Sequence, residues 1–293
     1  MISDKLKELA VVIPTHKRSN KQITLECLPK DMQEQCVILV CTKGNGDAEI
    51  LKSKYPHVKI VEADVDTIAK KRQWILEHCK SRNKIIMLDD DLKFRARVDI
   101  NRRDPATGYL KLLPEFVGTA SEVPDGNKIC RAFEQISILL DRYAHGGIES
   151  AQSNSLQESL FVEGDMEWHE NWRACLAVAY RRDVFLEQGL NFTSMPLRED
   201  MYITARLLSA GYPNFSLLNM AVAAATFGSD GGCADERTLE YSNKMAVELA
   251  NMFPKYIKSV DKQYTSGPDR TEVRVAWKKM YKDAPVKREV SSA

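Results

Sequence analysis

Three consecutive carboxylates, Asp89, Asp90 and Asp91, follow the apolar run that begins at Lys84. Such a run is typical of a strand that is buried on both faces of a parallel sheet. Ionised carboxylates are costly to bury unpaired, so the three acids should lie at the carboxyl end of the sheet, where open α/β sheets bind ligands. Strand alternation would place Asp89 and Asp91 on one side. Two hard oxygen ligands suit Mg²⁺ or Mn²⁺, which can hold a diphosphate. The alternative is an acidic turn after a strand.

Further residues around this strand could complete a site for a nucleotide. Thr15 and Arg18 lie in a polar loop after the first apolar run, and Lys71 and Arg72 open the helix before the acidic strand. An arginine can donate two hydrogen bonds to phosphate oxygens. The alternatives are an ordinary polar loop and a solvated helix face. The candidates for binding the nucleotide are Pro14, Thr15, Arg18, Asp64, Lys71, Arg72, Asp89 and Asp90.

The first hundred residues alternate between strand and helix patterns. The predicted strands and helices would position the candidate nucleotide-binding side chains. Asp66 or Thr67 can cap a helix that places Ile75 and Leu76 on its inner face. This order predicts an α/β fold with a mixed, mostly parallel sheet of the nucleotide-binding type, flanked by helices. The predicted strands cover 9–14, 36–41, 58–61 and 84–88, and the predicted helices end near Pro29 and Cys79.

The middle of the chain is less regular. Residues 93–128 mix basic residues with Pro and Gly, which predicts a long excursion, and such loops are often functional. The Gly-, Ser- and Gln-rich residues 145–165 predict a mobile segment. Regular structure is expected on both sides of this segment. The predictions are a helix over 129–143, a strand over 175–180, a helix ending at Gly189 and a helix over 199–210.

Composition restricts the class of protein. The 293 residues are 44% hydrophobic and 28% charged, with a net charge of +1, as in ordinary soluble globular proteins. No apolar stretch reaches the roughly 20 residues of a transmembrane helix, and the N-terminus does not resemble a signal peptide. The seven cysteines include no CxxC pair, which argues against a disulfide framework and against a zinc site. A cytoplasmic, non-membrane protein is expected.

Taken together, several segments resemble those of GT-A-fold glycosyltransferases, in the order that this family shows. Asp89 and Asp91 match its DxD motif, and the family implies that they bind metal and the diphosphate of a nucleotide-sugar. The other matching segments are Val11–Arg18 (family pattern VIPTxNR), Lys70–Gln73 (basic helix start), Ala177–Phe185 (xAxRRxxF), Pro196–Met201 (the acidic ED motif) and Leu207–Tyr212 (xLLxxGY).

The resemblance also implies roles for the acidic pair Glu199 and Asp200. Asp200 would be the general base for the acceptor hydroxyl, as in inverting members, and Glu199 would orient it or contact the acceptor. If the enzyme retains configuration, Asp200 would instead hold sugar or acceptor. In isolation, both acids are equally explained as stabilising a helix N-terminus. Many members take a third metal ligand from a late histidine, which this chain lacks, so Asp230 or Asp235 is the expected substitute.

A finer resemblance rests on three features: the acidic motif with its basic continuation, the REDM segment at Arg198–Met201, and the late Gly-rich loop that contains Gly231–Thr238. This combination resembles bacteriophage glycosyltransferases that modify DNA bases of the 5-hydroxymethylcytosine type. It implies a UDP-sugar donor and a DNA acceptor. Clusters of basic residues could hold DNA phosphates: Lys93, Arg95, Arg97, Arg102 and Arg103 after the acidic strand, and Lys278, Lys279, Lys282, Lys287 and Arg288 near the C-terminus. The aromatic residues that could stack on a flipped base are Phe94, Tyr109, Trp168 and Trp172.

Three alternatives remain open at this stage. A polysaccharide or lipid-linked sugar is the rival acceptor, and a nucleotidyltransferase or a non-catalytic nucleic-acid-binding protein is the rival class. A nucleotidyltransferase would normally have a glycine-rich loop after its first strand, where this chain has Pro14 and Thr15. The expected organisation is a catalytic domain over 1–250, with a nucleotide-binding half (1–92) and an acceptor half (93–250), followed by a basic extension over 251–293.

Overall fold

A computed structural model describes residues 2–96, 125–150, 161–224, 238–264 and 268–289. These residues form a large sheet and a separate two-stranded hairpin, with helices packed on both faces of the sheet. The strands are β1 (Leu9–Pro14), β2 (Val37–Thr42), β3 (Lys59–Ala63), β4 (Lys84–Leu88), β5 (Lys93–Ala96), β6 (His145–Ser150), β7 (Phe161–Glu163), β8 (Met166–Glu170), β9 (Ala177–Arg181), β10 (Asn214–Ala223), β11 (Ile257–Lys262) and β12 (Arg270–Val275).

The helices connect these strands and carry the remaining apolar faces. A 3₁₀ turn, Phe192–Ser194, lies between the seventh and eighth helices. The helices are α1 (Asp4–Lys7), α2 (Ile23–Cys27), α3 (Lys30–Cys36), α4 (Asp47–Lys54), α5 (Ile68–His78), α6 (Gly126–Leu139), α7 (Arg182–Glu187), α8 (Glu199–Ser209), α9 (Leu239–Met252) and α10 (Trp277–Lys282). Within the described residues, no helix combines the length and the apolar character needed to cross a bilayer.

The main sheet is mixed, and the half that contains the acidic motif is parallel. The strand order is β3-β2-β1-β4-β9-β6-β10-β8-β7, and β5 also pairs with β10. β1 is parallel to β2 and β4, and β2 is parallel to β3. The chain therefore leaves β1, β2, β3 and β4 at one edge of the sheet. This arrangement confirms the predicted α/β fold and places the acidic motif beside the loop that follows β1.

Strand alternation divides the core into two layers. Val11 and Ile13 of β1 face helices α1 to α4 and α6, whereas Ala10 and Val12 face α5 and α7 to α10. We call the second layer the α8 face of the sheet. The predicted helix after Asp66 is confirmed, because α5 begins after Thr67, whose hydroxyl accepts from the backbone N–H of Lys70 at 3.3 Å.

One local prediction is wrong. The segment expected to be mobile, residues 145–165, begins with strand β6 at 145–150, which is buried throughout, and includes strand β7 at 161–163. The glycines of this segment suggested a loop, but they allow β6 to pack closely against its neighbours. A Cβ at Gly147 would lie 2.2 Å from the carbonyl oxygen of Ala177. Residues 151–160 lie outside the described part of the chain. The excursion predicted from residue 93 begins with strand β5, and residues 97–124 also lie outside that part.

The C-terminal residues pack onto the rest of the fold. Ile257, Trp277 and Met280 are buried on the α8 face. The chain after α10 then passes the end of α8, where the backbone N–H of Arg288 donates to the carbonyl of Gly211 at 2.9 Å. The hairpin of β11 and β12 lies beside the start of α8, the helix that begins with the Glu199–Asp200 pair.

Candidate active site

The three carboxylates of the acidic motif lie in a turn, because β4 ends at Leu88. The alternation expected for a continuing strand therefore does not apply to them. Arg18 donates to Asp90 at 2.7 Å and to Asp91 at 2.9 Å, and the hydroxyl of Thr15 donates to Asp90 at 2.8 Å. The predicted loop after β1 and the acidic motif thus form one connected unit.

The three acids differ in their access to solvent. The side chain of Asp90 is 8% exposed, and burial raises its pKa to about 6 against the opposing effects of Arg18 and Thr15. The side chains of Asp89 and Asp91 are 29% and 18% exposed. Asp90 therefore ties the loop to the motif, and the two more accessible carboxylates are those predicted to bind metal.

Lys71 and Arg72 of α5 both point into the protein. They are 1% and 3% exposed, so the alternative of a solvated helix face is wrong for this pair. The ammonium group of Lys71 donates to the carbonyl of Thr15 at 2.6 Å. Arg72 donates to Asp89 at 2.8 Å and to Glu199 at 2.6 Å. One buried guanidinium thus connects the acidic motif to the acidic pair at the start of α8.

The start of α8 is held in an unusual backbone conformation. Arg198, the residue before the helix, has φ +67°, a region that residues other than glycine rarely adopt. Its guanidinium donates to Glu272 at 3.1 Å and to the carbonyl of Thr271 at 3.2 Å, both on β12. Glu199 is buried, and the half-buried Asp200 accepts from the backbone N–H of Met201 at 2.7 Å. The hairpin therefore supports the residues that present Asp200.

Sequence reasoning missed three residues that lie near Asp200. Arg173 lies among Cys175, Asp200 and Glu149, which together raise the pKa of the arginine. Burial raises the pKa of the Cys175 thiol to about 12. Glu149 is 3% exposed on β6. The signal that could have found it is a carboxylate at the end of an apolar segment, which the neighbouring glycines obscured.

These side chains form a group of carboxylates and guanidiniums at the edge of the sheet, which we call the acidic cluster. It consists of Asp89, Asp90, Asp91, Glu149, Glu199 and Asp200 together with Arg18, Arg72 and Arg173. Six carboxylates against three guanidiniums leave an excess of negative charge when all are ionised. Such an excess at an accessible edge favours binding of a cation.

Other predicted residues lie outside this group. Asp64 follows β3 at the same edge of the sheet, is exposed, and makes no ion pair within the described residues. Pro14 ends β1. Asp230, Asp235 and Tyr109 fall outside the part of the chain that the structure describes. Within that part, no three His, Cys, Asp or Glu side chains are placed to hold a metal by themselves.

The aromatic candidates for base stacking differ in their exposure to solvent. Phe94 is fully buried and packs edge-on against Phe133, with ring centroids 5.8 Å apart. Trp168 is 5% exposed and stacks on Phe161. Both side chains therefore belong to the packed interior. Trp172, one residue before Arg173, is half-buried and remains a candidate.

Comparisons with known proteins are consistent with this site. The family model described as TET-associated glycosyltransferase matches residues 9–111, which contain the loop after β1, α5 and the acidic motif. No curated protein sequence matches the chain.

Solved structures show a broad likeness. A structure of GalNAc-T7 with UDP, GalNAc and Mn²⁺ is 14% identical, with a TM-score of 0.43 over 83% of this chain. The chain spans 47% of that transferase. A cytidylyltransferase from Leptospira borgpetersenii serovar Hardjo-bovis is 10% identical, with a TM-score of 0.42 over 85% of this chain and 94% of the other. The family match is confined to residues 9–111 of the 293, so a likeness to glycosyltransferases is found in that part of the chain, within the mixed α/β sheet.

Proposed function

We propose that this enzyme transfers a sugar from a nucleotide-sugar, with UDP as the nucleotide, to the hydroxymethyl group of a modified pyrimidine in DNA. The observation that carries the proposal is the position of Arg72, which donates to Asp89 on the donor side and to Glu199 beside Asp200. This contact supports the proposal because Asp89, which would bind the donor, and Asp200, which would act as base, would then belong to one site. Group transfer between two bound substrates requires such an arrangement.

The residues present fit a divalent cation. Mg²⁺ and similar hard ions are commonly held by one or two carboxylates together with substrate phosphates, so a site does not need three protein ligands. Asp89 and Asp91 are the more accessible carboxylates of the acidic motif, and they would hold the ion. When bound, Mn²⁺ or Mg²⁺ would stabilise the negative charge of the departing diphosphate.

The chain's own groups would perform the remaining steps. Thr15 and Arg18, fixed by Asp90, would shape the nucleotide-binding loop. Asp200 would take the proton of the acceptor hydroxyl while the oxygen of that hydroxyl bonds to the anomeric carbon of the sugar. The bond between that carbon and the diphosphate oxygen breaks in the same transfer, and the nucleoside diphosphate leaves. Glu199, paired with Arg72, would fix the start of α8 and with it Asp200.

Two observations favour DNA over a polysaccharide as acceptor. The name of the matching family links its members to TET enzymes, which fits an acceptor of the 5-hydroxymethylcytosine type. In addition, the hairpin that holds Arg198 exposes Lys258, Lys262 and Arg274, and α10 exposes Lys279 and Lys282. Exposed basic side chains suit binding to the phosphates of a nucleic acid.

The test is a transfer assay with duplex DNA that contains 5-hydroxymethylcytosine, Mn²⁺ or Mg²⁺ and a panel of UDP-sugars. Nucleoside mass spectrometry should detect the mass of one added sugar, and EDTA or the substitution Asp200→Asn should abolish the gain. The substitution Asp4→Asn, at an exposed position of α1 on the opposite face of the sheet, is the matched control and should leave transfer unchanged. Hydrolysis of a UDP-sugar without any gain on DNA would refute the DNA acceptor. Transfer at the wild-type rate by Asp200→Asn would refute the assigned base.

A further inference from the structure

The two faces of the β11–β12 hairpin differ in what they contact. Ile257 is buried in the core of the α8 face, and Val273 and Val275 pack against that core. Val275 lies opposite Ile257 in the antiparallel register, so these side chains belong to one face of the hairpin. The alternate positions point the other way. We call this second side the outer face of the hairpin, and it consists of Lys258, Val260, Lys262, Arg270, Glu272 and Arg274.

The outer face pairs like charges across the hairpin. Lys258 lies directly opposite Arg274, and Lys262 lies directly opposite Arg270. Residues in such positions have Cβ atoms about 4.5–5.5 Å apart, and like charges there destabilise the strand pair. A two-stranded hairpin has little stability of its own, so two such pairs weaken it. The arrangement is expected of a surface that binds an anion, because a concentration of positive charge attracts an anion that then offsets the repulsion.

Most of the positive charge of the outer face is not neutralised within the described part of the chain. The carboxylate of the face, Glu272, is already engaged by two arginines, since it accepts from Arg270 at 2.7 Å and from Arg198 at 3.1 Å. The other basic residues of the face are exposed and make no ion pair with another described residue: Lys258, Lys262 and Arg274. These three cations are therefore available to an anionic partner.

The outer face reaches the start of α8. Arg198, which donates to Glu272, is two residues before Asp200, the candidate base. Lys258 and Lys262 are four positions apart in β11, which is about 13 Å at about 3.3 Å per residue. One strand of DNA carries a phosphate about every 3.4 Å along the helix axis, so the face is long enough to contact several phosphates. A duplex held there would lie beside the residues that present Asp200.

The outer face lacks the features of a surface that binds lipid. Helices and other elements that lie on a membrane combine basic residues with exposed Trp, Phe or Leu side chains that enter the bilayer. None of the exposed large apolar side chains among the described residues lies on β11 or β12. Charge, rather than apolar contact, would therefore hold the partner of this face.

We infer that the outer face of the hairpin is a docking surface for the phosphates of duplex DNA. This inference rests on the proposed function, in which DNA carries the acceptor. The two like-charge pairs lower the stability of the hairpin in the free protein, and the bound phosphates offset their repulsion. Because phosphates are contacted rather than base edges, binding should not depend on the modified base.

The first experiment measures binding of a fluorescent duplex without modified bases by fluorescence anisotropy, in the absence of UDP-sugar and metal and at a series of NaCl concentrations. In the double variant Lys258→Gln with Lys262→Gln, Kd should rise roughly tenfold at moderate salt. The slope of log K against log salt should decrease in magnitude by about two, one for each lost phosphate contact. Lys30→Gln with Lys52→Gln, at exposed positions of α3 and α4 on the opposite face of the sheet, is the matched control and should keep the wild-type Kd and slope.

A single charge reversal separates binding from stability. Lys258→Glu places opposite charges in the pair with Arg274, so Tm should equal or exceed that of the wild type. DNA binding should nevertheless weaken, because one contact is lost and a repulsive charge is added. A lower Tm with unchanged DNA binding would overturn the inference, since Lys258 would then have only a structural role.

The remaining outcomes distinguish this surface from the proposed function. Unchanged Kd and salt slope in the double variant, or binding of the wild type to phosphatidylserine vesicles but not to DNA, would overturn the docking surface. DNA binding that depends on the hairpin lysines, without transfer of any sugar to modified DNA, would refute the proposed function and leave the surface standing.

Discussion

Replacement of Arg72 by methionine removes both ion pairs that join the acidic motif to the start of α8. The side chain of Arg72 is 3% exposed and that of Glu199 is 5% exposed, so Glu199 would remain as a buried carboxylate that has lost its ion pair with Arg72. Loss of one member of a buried pair costs about 3–5 kcal/mol. Asp89 is 29% exposed and can be hydrated, so it should add little to this cost. We therefore expect the lower end, about 3 kcal/mol, and a decrease in Tm of about 5–10 °C.

Thermal and urea unfolding, followed by circular dichroism, measure this effect. Arg131→Met is the matched control: Arg131 pairs with Asp165 and Glu134, but its side chain is 49% exposed, so the loss should stay below about 1 kcal/mol. In the double variant Arg72→Met with Glu199→Gln, the remaining buried group is neutral, and part of the stability should return. Equal destabilisation in Arg72→Met and Arg131→Met, or no recovery in the double variant, would refute the reasoning.

Three further predictions concern the metal, the C-terminus and pH. Asp91→Ala should abolish transfer and leave Tm within a few degrees of wild type, and full Mn²⁺-dependent activity would contradict the metal site. Gly211→Ala should lower Tm more than Gly164→Ala. Both glycines have positive φ, but only at Gly211 would the added Cβ meet a neighbour, 1.7 Å from the carbonyl oxygen of Val286. Equal effects on Tm would contradict this packing. Burial opposes ionisation of Glu272, but Arg198 and Arg270 outweigh it and hold its pKa below the usual 4.5. Its ion pairs should therefore stabilise the fold above that pH and lose their effect as pH falls, and Glu272→Gln should show a smaller loss of stability on acidification.

The N-terminal half of the fold could be predicted because its signals are local. The apolar runs of β1 and β4 are buried at every position and that of β2 at four of six, and the Thr67 hydroxyl caps α5 as its position in the sequence indicates. The acidic motif was located by the same reasoning, since ionised carboxylates are costly to bury unpaired and were therefore expected at the carboxyl end of the sheet. Patterns of this kind depend on a few neighbouring residues.

The contacts that complete the site depend on residues far apart in the chain. Arg72 and Glu199 are 127 positions apart, and nothing in either segment identifies its partner. Glu149 was missed because Gly146 and Gly147 suggested a loop, although their small size lets β6 approach β9 and β10. In β10, the pairing partner moves from Leu217 to Ala221 between Ile148 and Glu149, an irregularity that no local pattern predicts.

The central claim is that the acidic motif binds a nucleoside diphosphate together with a divalent cation. Isothermal titration calorimetry of UDP with the purified protein, in Mn²⁺ and after chelation with EDTA, tests this claim without any assumption about the acceptor. We predict binding in Mn²⁺ that weakens at least tenfold after chelation, with the same loss in Asp91→Ala and wild-type binding in Glu163→Gln. UDP affinity that is equal with and without metal, and equal in Asp91→Ala and the wild type, would contradict it.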